Sequence, residues 1–263
     1  MSRRETTQHD DDLRLILLLV LMGRGGAGKT FLLRWICERA IMAKRPLVIA
    51  DGDRTNRTLP LFLDGVRSPT SSDNPVVTAW FEKIFQEMIL KKLNVILDLG
   101  GGDLLLREWA IKFELQRLLE AQGVTPVGLH LIGPEIESLS VLAAMEDPAW
   151  SGSPGTALFA PGRTVLVLNE ALVPNGQDPH EVFEPIRRHS VFKAALRRGA
   201  VAVAMPALLP ALDVNRRHLS FAGAVAGQTA AGLSPLGIFD RQRVAMWLVA
   251  MEKAFAPVGE WLP

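Results

Sequence analysis

The chain has 263 residues, 48% of them hydrophobic, and carries 29 basic against 28 acidic side chains for a net charge of +1. This near-balance excludes a polycation that coats nucleic acid indiscriminately, while leaving room for a local basic patch. The one cysteine, Cys37, excludes an intramolecular disulfide and gives a zinc cluster nothing to build on, as expected of a protein from a reducing cytoplasm.

Residues 1–12 are polar and read as a flexible tail, and residues 13–263 read as one domain. The apolar run 15–22 is far short of the roughly 20 residues that span a bilayer. Asp10, Asp11 and Asp12 stand where the positive region of a signal peptide would continue, so the run is taken as a buried strand. A helical pattern follows over 29–43, then a strand over 46–51, a helix over 77–92 and a strand over 94–99. Further along come a helix over 104–122, a strand over 126–133, a helix over 134–145, and strands over 163–169 and 199–206. Continuous apolar strands alternating with amphipathic helices predict an α/β fold, a three-layer sandwich around a mostly parallel central sheet. Stretches 64–75 and 146–162, rich in Gly, Pro, Ser and Asp, read as loops inside that domain.

Between the first strand and the first helix lies GRGGAGKT: Gly23, Arg24, Gly25, Gly26, Ala27, Gly28, Lys29 and Thr30. It fits the phosphate-loop pattern G-x-x-x-x-G-K-[ST] in its required strand–loop–helix setting. Glycines let backbone N–H groups approach phosphate oxygens, and the helix that starts with Lys29, Thr30 and Phe31 adds its dipole. Lys29 is expected to reach the β- and γ-phosphates and Thr30 to ligate Mg²⁺. Asp98 ends a buried strand, the position of a carboxylate that holds Mg²⁺ through water, and Gly100, Gly101 and Gly102 follow as a flexible γ-phosphate sensor. Asp51 and Asp53 close the second strand, where the chain turns and both carboxylates can face one crevice.

Arg24-Gly25-Gly26-Ala27-Gly28-Lys29-Thr30 resembles the deviant phosphate loop K-G-G-x-G-K-[ST] of the ParA/MinD family of dimeric ATPases, with Arg24 at the place of the early lysine. The resemblance implies a P-loop ATPase, ATP and Mg²⁺ as cofactors, and a homodimer formed on ATP binding. Arg24 would then contact the phosphates of the partner's nucleotide, where its planar fork grips oxygens bidentately. It also implies that Asp51 helps order the Mg²⁺ shell and that Asp53 orients the attacking water, although Arg54-Thr55 replaces the family's Pro-Gln. Asn169 stands where the family binds adenine, followed by a loop in which Met205, Pro206 and Ala207 would flank the ring. Asn169-Glu170-Ala171-Leu172 lacks the aspartate of the N-K-x-D motif of GTPases, which favours ATP.

Family members of this short type couple the dimer to nonspecific DNA and to a stimulating adaptor protein, in partition of cargo such as a plasmid. Arg187, Arg188, Lys193, Arg197, Arg198, Arg216 and Arg217 supply a basic set that could neutralise DNA phosphates, the bland reading being solvated helix faces. Such a protein would be cytoplasmic and associated with the nucleoid. A MinD-like membrane tail is disfavoured, because the stripe Val244, Trp247, Leu248, Met251 and Phe255 is followed by Glu260 and no cations, which favours a helix packed on the sheet or on a partner. The alternative of another class is a P-loop small-molecule kinase or synthetase, with Arg24 binding a substrate anion and a lone protomer active. The histidines show no metal spacing, and Trp80, Trp109 and Trp150 read as core or loop anchors.

Overall fold

A computed structural model describes residues 15–54, 57–100, 104–146, 158–160, 162–229 and 232–263. The expectations placed on Thr55, Gly101, Gly102 and Trp150 lie outside the described residues. Six strands form one sheet: β1 (Ile16–Met22), β2 (Leu47–Asp51), β3 (Asn94–Asp98), β4 (Val124–Ile132), β5 (Thr164–Asn169) and β6 (Val201–Met205). Their order is β2-β3-β1-β4-β5-β6 and every pairing is parallel. The sheet is therefore wholly parallel, as the unbroken apolar strands require when both faces are covered.

Side-chain alternation divides the core. Leu17, Leu19 and Leu21 of β1 join one apolar cluster and Leu18, Val20 and Met22 another. The first cluster takes Leu32, Leu33 and Ile36 from helix α1 (Lys29–Met42). The second takes Val77, Phe81 and Ile84 from α2 (Asn74–Lys91) and Leu106 from α3 (Leu105–Lys112). The helix expected over 104–122 is two: after α3 the chain turns at Glu114, φ 47°, into α4 (Leu115–Ala121). The segment expected as one helix over 134–145 opens with a 3₁₀ turn, Ile136–Leu139, before α5 (Ser140–Glu146).

The remaining helices were not foreseen by apolar periodicity, except the last. They are α6 (Pro179–Val182), α7 (Glu184–Arg188), α8 (Ser190–Arg197), α9 (Ala211–Arg216), α10 (Phe221–Ala226) and α11 (Ile238–Phe255). Asp178 caps α6 at His180 N–H, with Pro179 at the first position, and Ser220 caps α10 at Gly223 N–H. On α11, Val244, Trp247, Met251 and Phe255 are buried in the cluster on the α1 face, with Leu248 partly buried, so of the two alternatives the stripe takes the packing within the chain. Among the described residues no helix is long and apolar enough to cross a membrane.

The strand order sets the site. From β1 the chain moves out to β2, returns to β3, and then crosses β1 to reach β4 on the other side. Crossovers that leave a central strand in opposite directions open a crevice beyond its carboxyl end. The loop after Met22 occupies that position.

Candidate nucleotide site

Lys29 starts α1 and is 8% exposed, and its ammonium donates to the carbonyl oxygens of Gly23 (3.1 Å) and Arg24 (3.3 Å). The loop is closed further by Ala27 N–H donating to Arg24 O at 3.2 Å. Gly28, φ 94°, is required twice over: its backbone is left-handed, and a Cβ there would lie 2.6 Å from Asn169 Nδ2. Gly23, φ 146°, is held as tightly, since a Cβ would meet Leu131 O at 2.7 Å. The two ends of the loop are thus pressed against β4 and β5, while Arg24, Gly25 and Gly26 between them are exposed.

Strand register brings the carboxylates under this loop. Asp98 pairs with Leu21 of β1 on one side and with Asp51 of β2 on the other. Both aspartates are buried, at 1% exposure for Asp51 and 4% for Asp98. Asp51 Oδ1 accepts from Asp53 N–H at 3.0 Å, but Asp51 Oδ2 and Asp98 Oδ1 have no hydrogen-bond partner. Burial pushes the Asp98 carboxyl up to about 7 against the opposing pull of Lys29, and the nearby charges of Asp51 and Asp53 push the same way. Asp51 is raised as well, mainly by burial. Asp53 is half-buried and faces Gly100, whose missing Cβ would sit 3.1 Å from Asp53 Oδ1.

Orphaned buried carboxylate oxygens are costly unless something ligates them, and two of them on neighbouring strand ends, with Lys29 acting on Asp98, fit a divalent cation. Among the described residues no three His, Cys, Asp or Glu side chains form a complete metal cage. A cation here would draw its remaining ligands from Thr30, water and phosphate oxygens, which is the chemistry of a nucleotide-bound Mg²⁺.

Other expected residues sit differently. Asn169 is 2% exposed and lies beneath the loop: its Nδ2 donates to Ala27 O at 2.8 Å, and its Oδ1 accepts from Ala171 N–H at 3.0 Å. The amide therefore braces the phosphate loop from below. Met205, its register partner on β6, is buried in the core, while Pro206 accepts from Trp247 Nε1 at 2.8 Å and Ala207 is exposed. Phe31 packs edge-on against Phe221 and Trp247, joining the loop's helix to α10 and α11.

The seven basic residues do not lie on one surface. Ile186, Phe192 and Ala195 anchor α7 and α8 against Leu166 and Leu168, whereas Val214 of α9 packs with Val165 and Val167. Alternating residues of β5 face opposite ways, so Arg187, Arg188, Lys193, Arg197 and Arg198 belong to one layer and Arg216 and Arg217 to the other. Arg188 pairs with Glu184 (2.6 Å) and Arg217 with Asp213 (2.8 Å), and Arg187 donates to His180 O.

Two residues near the loop escaped the sequence reading. His130, the register partner of Met22, is 3% exposed, and burial lowers it to about 4. Arg107 of α3 is 4% exposed within an otherwise apolar helix face. Its only signal was a cation inside the run LLLREWAIK.

Residues 4–120, less than half of the chain, match the Zeta toxin family model, a span that holds the loop and all three aspartates. Comparison with curated proteins finds no match. Among solved structures, the chain is similar to the MinD cell division protein of Aquifex aeolicus at 14% identity, over 88% of this chain and 96% of that one, TM-score 0.44. It is also similar to the signal recognition particle receptor FtsY of Elizabethkingia anophelis at 12% identity, over 90% of this chain, TM-score 0.45. The chain spans 66% of that receptor, just under two thirds. Likenesses this distant carry nothing over to this chain.

Proposed function

We propose that the protein is a Mg²⁺-dependent ATPase of the ParA/MinD kind, which dimerises around ATP and uses Arg24 to complete the partner's site. The supporting observation is the contrast between the two cations of one loop. Lys29 turns inward and is buried, whereas Arg24 is exposed at the loop's outer tip. A cation held outside its own phosphate cradle is available to a second copy, where it acts as an arginine finger does. Thr30, Asp51 and Asp98 order the metal, and Asp53, half-buried beside Gly100, positions the water. Turnover is slow alone and stimulated by an adaptor. The dimer works on nonspecific DNA in partition or positioning of cargo.

Arg24→Ala is the test. ATP-dependent dimerisation in sedimentation velocity should be lost, while monomer nucleotide affinity changes less than about threefold, since Arg24 leaves its own cradle intact. Dimers persisting in the variant would remove the cross-contact.

A second reading is phosphoryl transfer to a small molecule by a lone protomer. Two observations favour it: the Zeta toxin match, a P-loop kinase-like family, and a cavity that reaches both Gly23 and Gly100. Turnover that is first order in protomer and unaffected by Arg24→Ala would favour this reading.

A further inference from the structure

Beside the phosphate loop lies a cavity of about 180 Å³. Val20 of β1, Leu99, Val141 and Leu158 give it apolar walls, and Gly23 and Gly100 bring the backbone of both nucleotide-side loops to its edge. Arg107 lines the same space at 4% exposure, and the exposed Ser140 marks its rim. The combination is unusual for a packing defect. An empty cavity in a core is normally lined by apolar groups alone, and one of ~150 Å³ holds benzene. Here the lining also includes one buried arginine, Arg107, which already makes an interaction within the protein. Its five donors form a planar fork, so it can grip a carboxylate bidentately and still keep protein contacts.

We propose that this cavity is a second-ligand site for a small carboxylic acid with a compact apolar body, its carboxylate on Arg107 and its body against Val20, Leu99 and Leu158. The volume admits an aromatic ring or a branched aliphatic chain. Because Gly23 and Gly100 wall both sites, occupancy of one changes affinity at the other, and the effect is reciprocal. This coupling rests on the nucleotide reading, whereas binding of the acid does not.

Calorimetric titration of the full chain with benzoate and with its neutral counterpart benzyl alcohol tests the proposal. Benzoate should bind at least tenfold more tightly than the alcohol, Arg107→Met should abolish the difference, and Arg107→Lys should restore part of it. Ala144→Phe, which fills the cavity and leaves Arg107 in place, should remove benzoate binding, and it decides the matter if circular dichroism shows Arg107→Met unfolded. Equal binding of acid and alcohol, no benzoate binding at millimolar concentration, or an unaffected Ala144→Phe variant would overturn it. ATP binding measured on the same samples separates the failures: benzoate binding without ATP binding sinks the nucleotide reading alone, and ATP binding without benzoate binding sinks this site alone.

Discussion

The carboxyl ends of β1, β2 and β3 and the flank beyond β5 and β6 both carry charge, under opposite conditions. In the first region Lys29, Asp51 and Asp98 are each less than 10% exposed, and two carboxylate oxygens have no protein partner. In the second, Arg188, Lys193, Arg197 and Arg216 stand in solvent, and the Arg188–Glu184 pair keeps its arginine 75% exposed. Removing a charge from water is costly, so buried charges without partners commit a protein to a ligand. Solvated charges cost almost nothing and commit it to nothing, a surface pair being worth about 0–1 kcal/mol. The depth of a charge, more than its presence, is what makes the phosphate-loop end a site.

The pH dependence of stability should expose that commitment with the largest effect. Asp98 titrates near 3.8 when unfolded and at about 7 when folded, so the folded state holds its proton longer. Stability is then highest below 3.8 and is lost as pH rises towards 7, the reverse of an ordinary ion-paired aspartate. His130 runs the other way: unfolded near 6.5 and folded at about 4, it lends stability above 6.5 that is lost as pH falls towards 4. At 1.36 kcal/mol per unit each is worth about 3–4.5 kcal/mol, so between pH 4 and 6.5 the two oppose each other. In metal-free protein, Asp98→Asn should uncover the histidine, giving urea midpoints that fall more steeply with acid than the parent's do. A variant profile with the same slope as the parent's would refute the buried-charge account. Mg²⁺ with ADP should steady the parent at pH 8 and do less for the variant.

Asn169 gives the next largest effect. It holds the loop to the sheet through Ala27 O, so Asn169→Ala strands that carbonyl and Ala171 N–H, at a cost of about 1–3 kcal/mol. ATP and GTP binding should weaken together, because the loop that cradles phosphates is loosened. A loss confined to ATP would instead assign the amide to the base, as the family resemblance implies.

The phosphate loop, the aspartates and all six strands were legible because each has a local chemical cause. Glycines at fixed offsets, a carboxylate ending an apolar run and unbroken burial leave marks in the sequence that no distant residue needs to complete. The turn at Glu114 left no such mark, since neither Gly nor Pro stands there and a charged residue takes the left-handed conformation. Short helices α6 to α10 were missed because four to eight residues are too few to show an apolar period, although Asp178-Pro179 and Ser220 carried capping signals. Asn169 was placed at the right strand end, yet its contact with Ala27 depends on a separation of 142 residues. Arg107 and His130 were invisible for the same reason: an arginine or histidine declares itself only once the walls around it are known.

The smallest effect should come from the flank, and it decides whether that region does anything. Arg188, Lys193 and Arg197 lie on one layer and Arg216 on the other, so a set that looks continuous along the chain is divided in space. Replacing Arg188, Lys193 and Arg197 by alanine should move stability by no more than about 0.5 kcal/mol per site, as for any solvated residue away from special features. If this layer meets DNA, the triple variant should elute earlier from a DNA column in a salt gradient, and its affinity should depend less steeply on salt for every phosphate it no longer neutralises. Arg216→Ala, on the far layer, should then elute with the parent. Equal weakening from both layers would require DNA to wrap around the β6 edge, and no change from either would leave these cations as solvated helix faces, unlike the buried charges at the other end of the sheet.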